Sequence, residues 1–432
     1  MAYVTAPFIG FVTTFLPIMP LIIILDLIGV LTILFVDRLD PRSFIFWLMI
    51  IIVVPVVGFA LYLALGNHFY SDRRFNKKRI KDSEFEDPPI CMEGNNEVSF
   101  IPDRDALLVN LMKDLSCARK SIWFEVPSVK TADVWEKILP VLEKMAGSGL
   151  DVRIMSASYG FGRTYGINRL CRAGGRFCTF NNRLYDMFLR RYRNRNLRMM
   201  MVVDREIVYS GYGSFLRVKG PVVSNYVRRF ILDWAHGSGE PRTHTDVCPM
   251  DDNVYMFSDG RDTDDPGRSL KDIVDIVVSA RKTLYIAVPY LTPDDDLCNT
   301  IKLASYSGAD VRILLPGRTW YKPRRWNSLS AAYPLMEAGV RVYFADGYSN
   351  RRLIVADGRY CMTGSCVIST SSLERDLNLS TVTCSEESCL DAEKLFMKEL
   401  DSAVECTAKE YEKRTLWDRC CIAASRLFMY MN

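Results

Sequence analysis

Two stretches hold the residues whose types and spacing could do chemistry. The first is Leu197-Arg198-Met199-Met200-Met201-Val202-Val203-Asp204, closed by Ser210-Gly211. The second is Asn350-Arg351-Arg352-Leu353-Ile354-Val355-Ala356-Asp357, closed by Thr363-Gly364-Ser365. Each reads as a buried apolar strand, a tight turn at Asp, a short second strand and a Gly. The two Asp residues lie 153 positions apart, and so do the two Gly residues. Within this frame Arg352 offers a fixed cation with a planar fork. Asn350 can donate a hydrogen bond but has no useful pKa. Leu197 can neither attack nor move a proton, and Met199 carries no charge.

The frame resembles the H-x-K-x4-D motif of the phospholipase D superfamily, which occurs twice per active site. The resemblance implies a histidine that attacks phosphorus, a second that shuttles the proton, and two lysines that hold phosphate oxygens. Here Leu197 and Asn350 stand at the histidine positions and Met199 and Arg352 at the lysine positions; only Asp204 and Asp357 remain. Such chemistry needs an imidazole, which titrates near neutral pH. An acid–base pair contributes about 10²–10⁴-fold, and losing the nucleophile removes the covalent route, so no family-type turnover is expected. Arg352, Ser365, Asn350 and Arg198 are the candidates for holding phosphate or lipid. The chain has three histidines. His68 abuts an apolar run, and His236 and His244 read as a linker between the two copies. No cofactor or metal is implied.

Other segments must position these residues. An apolar run with spans at about 16–36 and 43–65, split by Asp37-Arg38-Leu39-Asp40-Pro41-Arg42, reads as a transmembrane hairpin. Arg73, Arg74, Lys77, Lys78, Arg79 and Lys81 follow, a cluster that keeps this side cytoplasmic and can attract anionic lipid. Beyond residue 95 the chain repeats itself. Ala118-Arg119-Lys120-Ser121-Ile122-Trp123 returns as Ala280-Arg281-Lys282-Thr283-Leu284-Tyr285, and Ser148-Gly149-Leu150-Asp151-Val152-Arg153-Ile154 as Ser307-Gly308-Ala309-Asp310-Val311-Arg312-Ile313. Helical periods alternate with β-branched runs in both copies, which predicts a duplicated α/β domain, a sheet with helices on both faces, meeting at a shared seam. The boundaries are a hairpin at 1–70, a basic linker at 71–95, domains at 96–236 and 251–410 joined by 237–250, and an amphipathic helix at 411–432. A net charge of +4 is too small to argue for nucleic acid, and the thirteen cysteines have no metal-ligand spacing. The mixture of Trp320, Tyr321, Lys322, Arg324, Arg325 and Trp326 suits a membrane interface.

In order along the chain, Pro41, Trp47, Pro55, Gly58-Phe59, Leu61-Tyr62-Leu63, Glu125, Gly220-Pro221-Val222, Asp233-Trp234, Val288-Pro289-Tyr290 and Leu315-Pro316-Gly317 resemble the bacterial cardiolipin synthase branch. The resemblance implies a multi-pass protein of the cell membrane with a cytoplasmic domain. The emptied motifs make catalytic silence the expectation, with a role in binding anionic phospholipid, modulating an active synthase or self-associating. The alternatives are a phosphatidyltransferase with rearranged catalytic residues and a non-catalytic membrane scaffold.

Overall fold

The structure is a computed structural model. It describes residues 19–35, 41–54, 56–63, 69–84, 95–129, 132–158, 166–181, 195–243, 253–259, 268–318, 322–374 and 376–428. It divides into two compact units, Met1–Lys77 and Lys78–Asn432.

In the first unit, helix Met19–Phe35 packs on helix Pro41–Val53 through a core of Ile33, Trp47, Ile51 and Tyr62. The second predicted span is not one helix. It stops at Val53 and resumes as Val57–Leu61, with Val56 at φ 63°. Pro55 falls in this break, and proline lacks the N–H and the space that a continuing helix requires. Gly58 packs against the preceding helix so closely that a Cβ there would meet the Ile50 carbonyl at 2.6 Å. No described helix is long and apolar enough to cross a membrane. The outer face of the pair is nonetheless apolar, with Leu27, Leu34, Ile45, Ile52 and Val53 exposed.

The second unit carries the duplication. Its strands are β1 (Glu97–Ile101), β2 (Ser121–Val126), β3 (Asp151–Ser158), β4 (Arg176–Asn181), β5 (Met200–Val203), β6 (Ile207–Tyr212), β7 (Ser214–Lys219), β8 (Val254–Asp259), β9 (Thr283–Ala287), β10 (Asp310–Pro316), β11 (Arg341–Ala345), β12 (Leu353–Ala356), β13 (Tyr360–Gly364), β14 (Asn378–Thr383) and β15 (Val404–Cys406). The first sheet has the order β4-β3-β2-β5-β6-β7-β1 and the second β11-β10-β9-β12-β13-β14-β8, with β15 added outside β11. Strand for strand the two orders are the same. In both, the first three strands are parallel and the rest antiparallel.

Each sheet has helices on both faces, as predicted. Helices Arg104–Cys117 and Ala132–Gly147 bury Leu111, Leu139 and Leu142 against Ile122, Phe124 and Met201. Helices Arg268–Ser279 and Asp295–Tyr306 do the same against Ile286, Ile313 and Ile354. The opposite faces lie under helix Val223–Ser238, where Phe230 stacks on Trp123, and helix Glu386–Asp401, where Phe396 stacks on Tyr285. The C-terminal helix, Leu416–Phe428, packs through Ile422 on Leu329 and Cys406, with Leu416 and Trp417 exposed. Trp326 packs on the same cluster and Arg325 bonds the Gly317 carbonyl, so this part of the aromatic and basic stretch is folded onto the domain. Trp320 and Tyr321 lie outside the described residues.

Candidate functional site at the seam

The two halves are stitched by main-chain bonds where the motifs meet. Leu197 N–H donates to the Leu377 carbonyl at 2.9 Å, and Leu377 N–H to the Arg195 carbonyl at 2.9 Å. Arg352 N–H donates to the Tyr212 carbonyl at 3.1 Å, and Thr363 Oγ1 to the Ser214 carbonyl at 3.1 Å. At Gly213, φ 76°, a Cβ would lie 2.7 Å from Arg351 Cα, so the close approach requires glycine.

The two retained acids are anchors. Asp204 and Asp357 sit in the hairpin turns at φ 52° and 54°. The Asp204 carboxylate accepts the N–H groups of Arg119 (2.8 Å), Lys120 (2.6 Å) and Ser121 (2.9 Å). Asp357 accepts those of Arg281 (2.8 Å), Lys282 (2.7 Å) and Thr283 (2.8 Å). Each turn is thereby fastened to the start of its central strand, β2 or β9. Burial pushes the Asp357 carboxyl up, but the three N–H groups outweigh it and hold the acid below its usual range.

Strand alternation sorts the remaining motif residues. Leu197 is half-buried, and half-buried Met199 packs on the core that holds Met201. Asn350 is half-buried, with no side-chain hydrogen bond recorded among the described residues. Arg352 is 9% exposed, donates to the Ser365 carbonyl and lies 4.0 Å over the Tyr212 ring. It lines a small apolar pocket with Val288, Ile354, Cys366 and Ile368. Ser365 is fully buried, its Oγ accepting Leu379 N–H at 2.8 Å. Arg198 does not join this group. Its side chain is 0% exposed and its Nη1 meets the Asp233 carboxylate at 3.0 Å, beneath helix Val223–Ser238. The residue between two pocket-facing positions points to the other side of the strand. Arg351, its counterpart, likewise reaches Glu399 on helix Glu386–Asp401 at 2.7 Å.

His236 is also corrected. It belongs to helix Val223–Ser238, not to a linker, and lies against Phe180 of β4. β4 stands three strands from β5, about 14 Å at the usual spacing of about 4.8 Å. His68 and His244 lie outside the described residues.

Two features escaped the sequence reading. One is the partner of Arg195, whose guanidinium pairs with Asp376 at 2.8 Å. The other is a buried ionic network under helix Val223–Ser238. Asp233 takes Arg198, Arg229 (Nε, 3.0 Å) and Lys78 (3.1 Å); Asp82 takes Lys78 (2.6 Å), Arg229 (3.3 Å) and Arg242. Lys78 is therefore an internal cation, not part of a lipid-facing cluster. The Arg229–Asp233 spacing of four was the available signal.

Glu125 borders this network, accepting from Asn196 Nδ2 at 2.7 Å, while its Oε2 is buried without a partner among the described residues. Burial, then the nearby Asp233 charge, pushes its carboxyl up to about 8 from 4.5, against the pull of Arg198. Between those values the folded chain keeps a proton that the unfolded chain has lost. Stability therefore falls as pH rises through that window and levels off above it. Glu125→Gln is expected to flatten this slope and raise the melting temperature at pH 8. A denaturation series from about pH 5 to 9 checks it, and an unchanged slope contradicts it.

The duplicated sheets of one topology, meeting at the seam, fit the phospholipase D resemblance read from the sequence. A family profile described as "Cardiolipin synthase, PLD-like domain" matches residues 273–400, and "Phospholipase_D-nuclease N-terminal" matches 24–67. Over most of its length the chain is similar to bacterial cardiolipin synthases. It is 24% identical to the cardiolipin synthase of Clostridium perfringens strain SM101, over 89% of this chain and 93% of that one. It is 25% identical to that of Staphylococcus aureus strain Mu50, over 91% and 92%. Among solved structures, the phosphatidylserine synthase of Haemophilus influenzae matches with a TM-score of 0.58 at 11% identity, over 83% of this chain and 97% of that one, a likeness of fold.

Proposed function

We propose that the chain is a membrane-anchored, catalytically silent relative of cardiolipin synthase that binds anionic phospholipid. The observation that carries this reading is the chemistry at the four motif positions. Leu197, Met199 and Asn350 can supply neither a nucleophile nor a proton shuttle, while Arg352 keeps a cation at the seam. His236, on helix Val223–Ser238 against Phe180 of the edge strand β4, lies beyond hydrogen-bond reach of a group at β5. The helical pair of the first unit is the anchor, its exposed apolar face suited to lipid, and the basic residues after it keep the large domain cytoplasmic. A lipid-binding chain of this kind can modulate an active synthase by holding its substrate or product, or by pairing with it.

The test uses the full chain, purified and reconstituted in phosphatidylglycerol vesicles. No cardiolipin above the protein-free control is expected, and native mass spectrometry is expected to show bound anionic phospholipid. Cardiolipin formation, or a phosphoryl adduct trapped on the chain, overturns the reading in favour of a rearranged enzyme. A chain that carries no phospholipid is left as a scaffold.

A further inference from the structure

The C-terminal helix, Leu416–Phe428, divides into a docked face and a face turned outward. Asp418, Cys421, Ile422 and Ser425 recur at helical spacing and are half-buried or buried, Ile422 packing on Leu329 and Cys406. Leu416, Trp417, Arg419, Cys420, Ala423 and Ala424 are exposed. Among the described residues of the second unit, Leu416 at 78% and Trp417 at 76% are the most exposed large apolar side chains.

Their exposure is built in. Thr415 caps the helix, its Oγ1 accepting Asp418 N–H at 3.2 Å and donating to the Asp418 carboxylate at 2.8 Å. That bond also commits the one acid between Lys413 and Ala424, a stretch with three cations. The exposed face itself carries Arg419 and no acid, and Lys413, just before the cap, is exposed as well. Neither cation has an ion pair among the described residues.

We infer that this outward face is a second membrane contact. Leu416 and Trp417 seat in the headgroup layer of an anionic bilayer, and Lys413 and Arg419 lie against its negative surface. An indole suits that depth, with its apolar body and polar N–H, and flanking cations select negative lipid. The two side chains present on the order of 300 Å². A stable protein partner needs about 800 Å² on each side, so a bilayer fits the face better than a second copy of the chain. The contact is distinct from the seam and does not require lipid to be bound there. Its small apolar area makes it reversible and dependent on the anionic lipid content of the bilayer.

The test uses the full chain in phosphatidylcholine vesicles with and without phosphatidylglycerol, each prepared with and without bromine on the acyl chains near the headgroup. Trp417 emission is read as the difference between wild type and Trp417→Phe, a change at an exposed site that leaves the fold intact. Bromine is expected to quench this difference in the anionic vesicles and to leave it bright in the neutral ones. Lys413→Gln and Arg419→Gln should each lower the ratio of quenched to unquenched Trp417 about five-fold. Flotation with the vesicles reports the anchor separately. A floating chain whose Trp417 is never quenched overturns this contact and leaves the anchor and the seam reading standing. Equal quenching in neutral vesicles overturns the role of charge. Trp417 shielded from aqueous acrylamide yet unquenched by bromine means that protein covers the face, and overturns the proposal. A chain that floats with neither vesicle overturns both the contact and the anchor.

Discussion

Asp233→Ala is expected to destabilise the second unit by about 3–5 kcal/mol. The carboxylate is 0% exposed and receives Arg198, Arg229 and Lys78, so its removal strands cations in the interior. The equivalent clamp in the second copy gives an internal comparison. Glu399 is 28% exposed on its side chain, so water can replace it beside Arg351, and Glu399→Ala is expected to cost on the order of 1–2 kcal/mol. Denaturant unfolding of the two variants side by side measures the difference. Equal small losses would mean that the Arg198 network is not the stabilising element it is described as.

Asp204→Ala and Asp357→Ala carry the second large effect. Each removes the acceptor of three backbone N–H groups and leaves a non-glycine turn at positive φ without its tether. A loss of about 2–4 kcal/mol is expected for each, because part of the exposed end can recruit water. By contrast, Leu197→His and Asn350→His fall at half-buried positions, where changes cost about 1 kcal/mol or less. Thermal melts of the four variants should fall into two groups along these lines. If the histidine substitutions prove as damaging as the alanines, the division between a structural acid and dispensable catalytic positions fails. That division explains how a chain can lose both imidazoles and keep both aspartates.

Much of this was legible before any coordinates. The paired Ala-Arg-Lys-Ser/Thr segments lead into β2 and β9, and the paired Gly-x-Asp-Val-Arg-Ile segments into β3 and β10, so a duplicated α/β sheet followed from the order of repeats. The turn acids were legible too, since an Asp closing an apolar run is a local signal. Arg198 was misplaced because charge was weighed and strand alternation was not; a period of two sets it on the opposite face from Leu197 and Met199. The second apolar span read as continuous because hydropathy does not register the proline at position 55. The contacts of Arg324 with the Tyr290 ring and of Arg195 with Asp376 could not be read at all. Each joins residues from separate segments, which only the fold brings within reach of one another.

The two copies finish differently. In the second, the outer strand β11 is covered by a three-residue strand, β15, whose Glu405 is tied to Arg341 at 3.1 Å. Among the described residues β4, at the matching margin of the first sheet, carries no added strand, and its exposed to half-buried start, residues 176–178, is where an edge can pair. An incoming extended segment, from another protein or from a second molecule, would thus meet a closed border on one lobe and an open one on the other. Association through that border would be polar, joining unlike surfaces, despite the internal symmetry of the architecture.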